Sequence, residues 1–464
     1  MSLRRLTAHG AVYGLTTATA RLLNWLLTPL YAHRLSVEDF GRMSELYSWM
    51  VFGLIAAGAG METAYFRFRK GQNGSFWQAL RLAGYVGGGL ALLLGVGVPW
   101  IAPILGYGEA PHLLWLTIAI WTVDAWGSFA LAYQRALGKP LRFAAIQLSH
   151  VALFLLANLW GVGVQGWGLS FILGANLASS LLRLGWALAW APPRQAETLP
   201  ARLLLTYGLT LTGIGLLGAT NDVLDRVLLA RYDLRQTALY SAAYKIAMAL
   251  ALFVQAYRQA GEPLLLGDYA HQIAFYRRSW ILFHAVGLAG VFLLSLWAKP
   301  LMTSTWGGLL PKPLFPPAYH PALAIVPILL WANLLMGSLV QASIWYKLTD
   351  HPTIGMLITA VGSAITWAGN LYGIPRYGYE ASAWTTLAAY GAMVALSVWM
   401  GRRYLPGAFP LGPLLPTVLV ALTPTFLPHE SYSWRIGFSL VGLVAIGSWN
   451  YRLLRPSTPR TAPR

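Results

Sequence analysis

Cysteine is missing from all 464 residues, so disulfides, thiolate metal sites and cysteine nucleophiles are excluded. Charge is scarce. Only 10% of residues are Asp, Glu, Lys or Arg, where a soluble domain carries about 25%. The nine histidines show no His-x-x-His or Glu-x-x-His spacing, so no metal site is expected. There is no G-x-x-x-x-G-K-[ST] phosphate loop, which excludes an ATPase of that type. No polar segment is long enough to fold as a catalytic domain outside an apolar bundle. The chain therefore reads as a protein that is not an enzyme and needs no cofactor.

What remains is apolar. Hydrophobic residues make up 57% of the chain, and mean hydropathy is +0.54. The expected fold class is all-α, a polytopic transmembrane helical bundle. A bilayer crossing needs about 20 mostly apolar residues. About fourteen such spans can be drawn, at 10–33, 44–66, 77–105, 113–135, 143–161, 167–190, 203–230, 238–262, 279–302, 320–346, 353–373, 381–401, 411–427 and 435–454. The thirteenth is short and carries Pro413, Pro416 and Pro424. The basic N-terminus reads as a lead into the first span rather than a removed signal peptide.

The net charge of +18 does not call for nucleic acid, because basic loops orient membrane proteins. With the N-terminus inside, cytoplasmic segments hold 19 Lys and Arg against 7 on the other face. Both termini are expected in the cytoplasm.

The stretch "NLYGIPRYGYEASAW" (370–384) interrupts two apolar runs, and "NLWGVGVQGWGLSF" (158–171) is its earlier copy. A shift of 212 pairs Asn158 with Asn370, Gly166 with Gly378 and Ser170 with Ser382. The segment after span 1, "LYAHRLSVEDFGRMSELYS", has a weaker echo after span 7. Six spans separate the copies, an even number, so the halves form a parallel repeat. The expected domains are six-helix lobes at 1–195 and 196–404, two further helices within 405–455, and a disordered tail at 456–464.

Ionisable and polar residues inside spans are candidate functional groups. Arg21 lies about 15 Å from either end of span 1, in one helical stripe with Asn24, Thr28 and Tyr31. Span 8 carries a stripe with Lys245 and Gln255, and span 10 one with Asn333, Gly337, Gln341 and Trp345. In span 7, Asp222 and Arg226 have the spacing of a local ion pair. Asp225 shares a stripe with Asn221 and could balance Lys245 or couple an ion. Asp124 in span 4 is a second carboxylate that could do so. Glu62 lies near Arg67 and Arg69, and Arg183 near an inner end where it could snorkel. Stripes on spans 1, 2, 7 and 8 would enclose a cationic cavity if those helices face each other.

"LLTPLYAHRLSVEDFG", "NDVLDRVLLARY", "VPILLWANLLMGSLVQASIWYKLTDHPTIG" and "GNLYGIPRYGYEASAWTTL" resemble the polysaccharide transporter family of bacterial oligosaccharide flippases. That family belongs to a superfamily shared with multidrug and toxin extrusion transporters. The resemblance covers spans 1–12. It implies movement of an undecaprenyl-pyrophosphate-linked glycan to the outer leaflet of the bacterial inner membrane by two rocking lobes. Membrane lipids, and polymerase or ligase machinery, would be partners. The competing expectation is a cation-coupled exporter of small amphipathic compounds.

Overall fold

The structure, a computed structural model, describes residues 3–68, 74–193, 199–267, 272–305, 312–349, 351–426 and 431–454. The tail expected at 456–464 lies outside them. The described residues are helices joined by short corners, without a strand. They pack as two compact units. One holds Met1–Ser241 with Thr366–Tyr379, and the other holds Ala242–Ile365 with Glu380–Arg464.

The first unit is built from α1 (Leu3–Arg34), α2 (Val37–Gly58), α3 (Met61–Phe68), α4 (Gly74–Ile104), α5 (His112–Ala136), α6 (Pro140–Asn158), α7 (Leu169–Ala189), α8 (Ala201–Tyr232) and the start of α9 (Leu234–Leu266). A π-helical turn, Leu159–Val164, follows α6. The α1–α2 corner is sharp because Ser36 caps α2. Its hydroxyl accepts from the Asp39 N–H at 3.0 Å, and Glu38 and Asp39 place negative charge at the positive end of the helix dipole. The predicted span 44–66 is broken after α2, where Ala59 and Gly60 are left-handed (φ 48° and 63°). Gly60 meets Gly208 of α8 so closely that a Cβ would sit 2.2 Å from the Gly208 carbonyl oxygen. At the other end of α2, a Cβ on Gly41 would lie 2.1 Å from the Leu234 carbonyl oxygen. Two close backbone approaches thus seat α2 against α8 and the α8–α9 corner. The core under α3 is aromatic. Phe76 stacks on Phe129 at 5.2 Å, and Tyr65 meets Phe129 edge-on at 5.7 Å.

The second unit continues α9 and adds α10 (Ile273–Thr303), α11 (Val326–Ala342), α12 (Ile344–Leu348), most of α13 (Pro352–Gly401), α14 (Leu415–Phe426) and α15 (Tyr432–Leu454). Trp345 anchors it, with its indole donating to the Ser397 carbonyl at 3.0 Å and its ring stacked on Tyr404 at 4.8 Å.

Nine helices among the described residues are long and apolar enough to cross a membrane. One of them runs for 49 residues, Thr353–Gly401. At about 1.5 Å per residue it exceeds twice the roughly 30 Å bilayer core. Gly378 (φ 58°, ψ −140°) divides it where the sequence predicts a boundary between two spans. α14 has 12 residues, short of a crossing, as its prolines foretell. The two copies of the broken motif share local geometry. Asn158 and Asn370 are both fully buried, donating to the carbonyls of Phe154 (2.7 Å) and Thr366 (2.8 Å). Gly166 and Gly378 both take positive φ, 73° and 58°.

Candidate functional site

The α1 stripe changes character along its length. Arg21 and Asn24 are exposed, while Thr28 and Tyr31 are buried (2% and 6%). Among the described residues, Arg21 makes no hydrogen bond or ion pair. It is a cation held on an apolar helix with its charge left open.

At the α1–α2 and α8–α9 corners the first unit concentrates charge. Glu45 is 1% exposed and is surrounded by donors. Arg231 pairs with its Oε1, the Tyr107 hydroxyl donates to Oε2 at 2.7 Å, and the Trp49 indole lies 3.4 Å from Oε1. Nearer the corner, Arg235 pairs with Glu38. Glu38 precedes the predicted span, and the guanidinium beside it holds its carboxyl below the usual carboxylate range. Arg34 donates to the Gly163 carbonyl at 2.5 Å. The Glu45–Arg231 and Glu38–Arg235 pairs join α2 to α8 and α9, the pieces the sequence repeat relates. None of these residues except Arg34 and Arg235, counted among the seven Lys and Arg of the outer face, stood out in the sequence. Helical spacing offered Glu45 a neighbour in Arg42, three residues earlier in α2, and so gave no pointer to Arg231.

One turn deeper, Asp225 is buried (2%). It accepts from the Tyr240 hydroxyl and from the Arg226 N–H at 2.7 Å, and the Arg226 guanidinium lies 3.8 Å away. That guanidinium also donates to the Asp222 carbonyl at 3.1 Å. Asn221, on the same face, accepts from Thr366 at 3.0 Å. The broken motif is tied to the same place, since the Tyr379 N–H donates to Gln236 Oε1 at 3.0 Å. A Cβ on Gly378 would lie 2.0 Å from that oxygen, so glycine is required there for both its φ and its space.

Asp124 pairs with Arg183 at 2.8 Å, deep in the first unit. Beside them, the Asn176 amide donates to the Tyr47 hydroxyl at 3.2 Å. Arg183 is 8% exposed and does not snorkel, because a partner on α5 outweighs the reach to water. Glu62 pairs with Arg135 of α5, and Arg67 lies over the Tyr207 ring at 5.2 Å instead. Arg69 lies outside the described residues.

In the second unit Lys245 and Gln255 are half-buried. Gln341 is 3% exposed and its Nε2 has no partner. The rest of its stripe packs inward, with Phe283 and Val254 filling the space beside Gly337. No group of three or more His, Asp or Glu suited to a metal occurs among the described residues.

Residues 31–260 match a family described as polysaccharide biosynthesis protein. No match was found among curated proteins. Among solved structures, the fold is similar to that of the lipid II flippase MurJ in an inward closed conformation. The TM-score is 0.73 at 14% identity, covering 96% of this chain and 100% of that one. It is also similar to a multidrug resistance MATE family transporter of the MOP superfamily in its inward-facing conformation, with a TM-score of 0.65 at 14% identity over 85% and 96% of the two chains. The outward-facing conformation of such a transporter gives 0.61 at 15% identity over 87% and 96%. The chain is thus a multi-pass membrane protein whose fold is similar to those of MurJ and of MATE transporters, with residues 31–260 matching the polysaccharide biosynthesis protein model.

Proposed function

We propose that the protein moves an undecaprenyl-pyrophosphate-linked oligosaccharide from the inner to the outer leaflet of a bacterial inner membrane. Arg21 carries this reading. An open cation midway along a span is costly in hydrocarbon, and an anionic headgroup would offset that cost. A guanidinium can hold a diphosphate through two parallel hydrogen bonds. Lys245 is a second candidate cation, with Asn24, Thr28, Gln255 and Gln341 as polar neighbours for the sugars. The similarity to MurJ and the polysaccharide family match support a lipid-linked substrate.

In this reading the lobes 1–195 and 196–404 alternate access, and both termini are cytoplasmic. The α1–α2 and α8–α9 corners then lie outside, and their ion pairs hold the outer ends of α2 and α8 together until the lobes rock. An inside-negative potential favours outward movement of an anion by about 2.3 kcal/mol per charge per 100 mV.

The test is translocation of a fluorescent undecaprenyl-pyrophosphate oligosaccharide in proteoliposomes. Arg21→Ala should slow it about ten- to a hundredfold, the equivalent of about 1.5–3 kcal/mol for hydrogen bonds to a charged group. Arg21→Lys should retain part of the rate. Absence of any lipid-linked sugar movement, with ion-dependent dye efflux that requires Asp124 or Asp225, would replace this reading with a cation-coupled exporter.

A further inference from the structure

α4 carries Pro99 and Pro103 in its interior. A proline removes the N–H that would bond the carbonyl four residues back, which for Pro99 is that of Gly95. The missing donor comes from the neighbouring helix. The Trp115 indole, in the first turn of α5, donates to the Gly95 carbonyl at 2.9 Å. α4 is therefore tied to α5 at the place where its own hydrogen-bond ladder is interrupted.

Next to this tie lies a cleft of ≈270 Å³ between α2, α4 and α5. Leu46 and Trp49 of α2, Val98 and Ile101 of α4, and Ile118 and Trp121 of α5 form its walls, which present no polar surface. Trp121 is fixed in place by Gly53, where a Cβ would lie 2.0 Å from its ring. α4, one wall of the cleft, carries Leu93, Val96, Trp100 and Ile104 exposed on its outer side. At the corner end the polar cluster closes the cleft, because Leu46 follows Glu45 and Tyr107 bonds to that acid. An apolar occupant would enter past that outer side of α4, from the hydrocarbon.

We infer that this cleft binds one acyl chain of a membrane phospholipid, in the leaflet nearest the α1–α2 corner. The Thr117 hydroxyl in the lining is turned to the Leu113 carbonyl, and walls that expose no donor or acceptor would strip the water from a polar ligand and return nothing, so they select hydrocarbon. The polyprenyl chain of a transported substrate is the other hydrocarbon at hand. In the proposed cycle it starts in the opposite leaflet, whereas the cleft is open while the corner ion pairs are made. The leaflet rests on the orientation proposed above; the site itself does not. A bound chain would press on Trp49, whose indole lies against Glu45 beside Arg231.

The experiment is photolabelling of the full-length protein in liposomes containing a phosphatidylethanolamine with a diazirine on one 16-carbon acyl chain, read by peptide mass spectrometry. Adducts should concentrate on the cleft walls of α2, α4 and α5. They should fall to background in Val98→Phe and in Leu94→Trp, which fill the cleft from two lining positions of α4. Leu93→Trp, on the bilayer-facing side, should leave them unchanged. If the filling variants misfold, the wild type still decides. A seated chain labels different wall residues as the diazirine is moved along it, and a passing lipid does not. Labelling spread evenly over the bilayer-facing surface would overturn the inference. So would labelling abolished by a polyprenyl phosphate but not by excess phospholipid, which would give the cleft to the substrate chain.

Discussion

Glu45 and Arg231 are the pair in which single side chains matter most. Glu45 is almost fully enclosed and Arg231 about a quarter exposed, with side-chain exposures of 2% and 28%. The two ends of the pair are therefore not equivalent. Arg231→Ala leaves a buried carboxylate with only Tyr107 and Trp49 as donors, and should destabilise the protein by about 3–5 kcal/mol. Glu45→Gln leaves a cation that still reaches solvent and should be milder. The double variant should recover part of the Arg231→Ala loss, since the uncompensated charge is gone. Unfolding by denaturant in mild detergent measures all three. Equal losses for the two single variants would show that burial does not set the asymmetry.

At the scale of an element, α4 shows how a helix tolerates proline in hydrocarbon. The freed Gly95 carbonyl has no water to turn to and takes the Trp115 indole instead. Trp115→Phe should therefore cost about 1–3 kcal/mol, the usual penalty for an acceptor left unsatisfied away from water. In a Pro99→Ala background residue 99 regains its N–H, and the same substitution should cost almost nothing. Thermal unfolding of the four proteins closes the cycle. A Trp115→Phe penalty that is independent of residue 99 would mean that the indole acts by packing rather than by capping α4. The broken motif of α13 works on the opposite plan. There a glycine with positive φ interrupts the helix, and a side chain from α9, Gln236, takes up the N–H of Tyr379.

For the whole molecule the decisive property is orientation, and the absence of cysteine makes it easy to measure. Single cysteines at Glu109 and Arg402 in intact cells should differ. Glu109→Cys should react with a membrane-impermeant maleimide, and Arg402→Cys should react only after permeabilisation. The reverse pattern would invert the protein and place the corner ion pairs on the cytoplasmic side. The same result bears on transport: the corner ion pairs can act as an outer closure only if they face outward.

Hydropathy and chain-breaking residues are local properties, and what depends on them was legible from the sequence alone. The membrane class, the positions of the long helices, the weakness of the 411–427 segment and the break at Gly378 all follow from runs of apolar residues and from glycine and proline. Ion-pair partners were a different matter. Glu45 meets Arg231 across 186 residues, Glu62 meets Arg135 across 73, and Arg183 meets Asp124 across 59. The sequence ranks only neighbours close along the chain, so it offered Arg67 and Arg69 to Glu62 and the aqueous boundary to Arg183. The apolar cleft was equally hidden, since each of its walls reads as an ordinary span. Its volume exists only where three helices fail to close against one another. The sequence set which segments enter the membrane, through the free energy of transferring each one. The tertiary structure decided which charges are paired there and where hydrocarbon can enter, because both depend on packing between segments far apart in the chain.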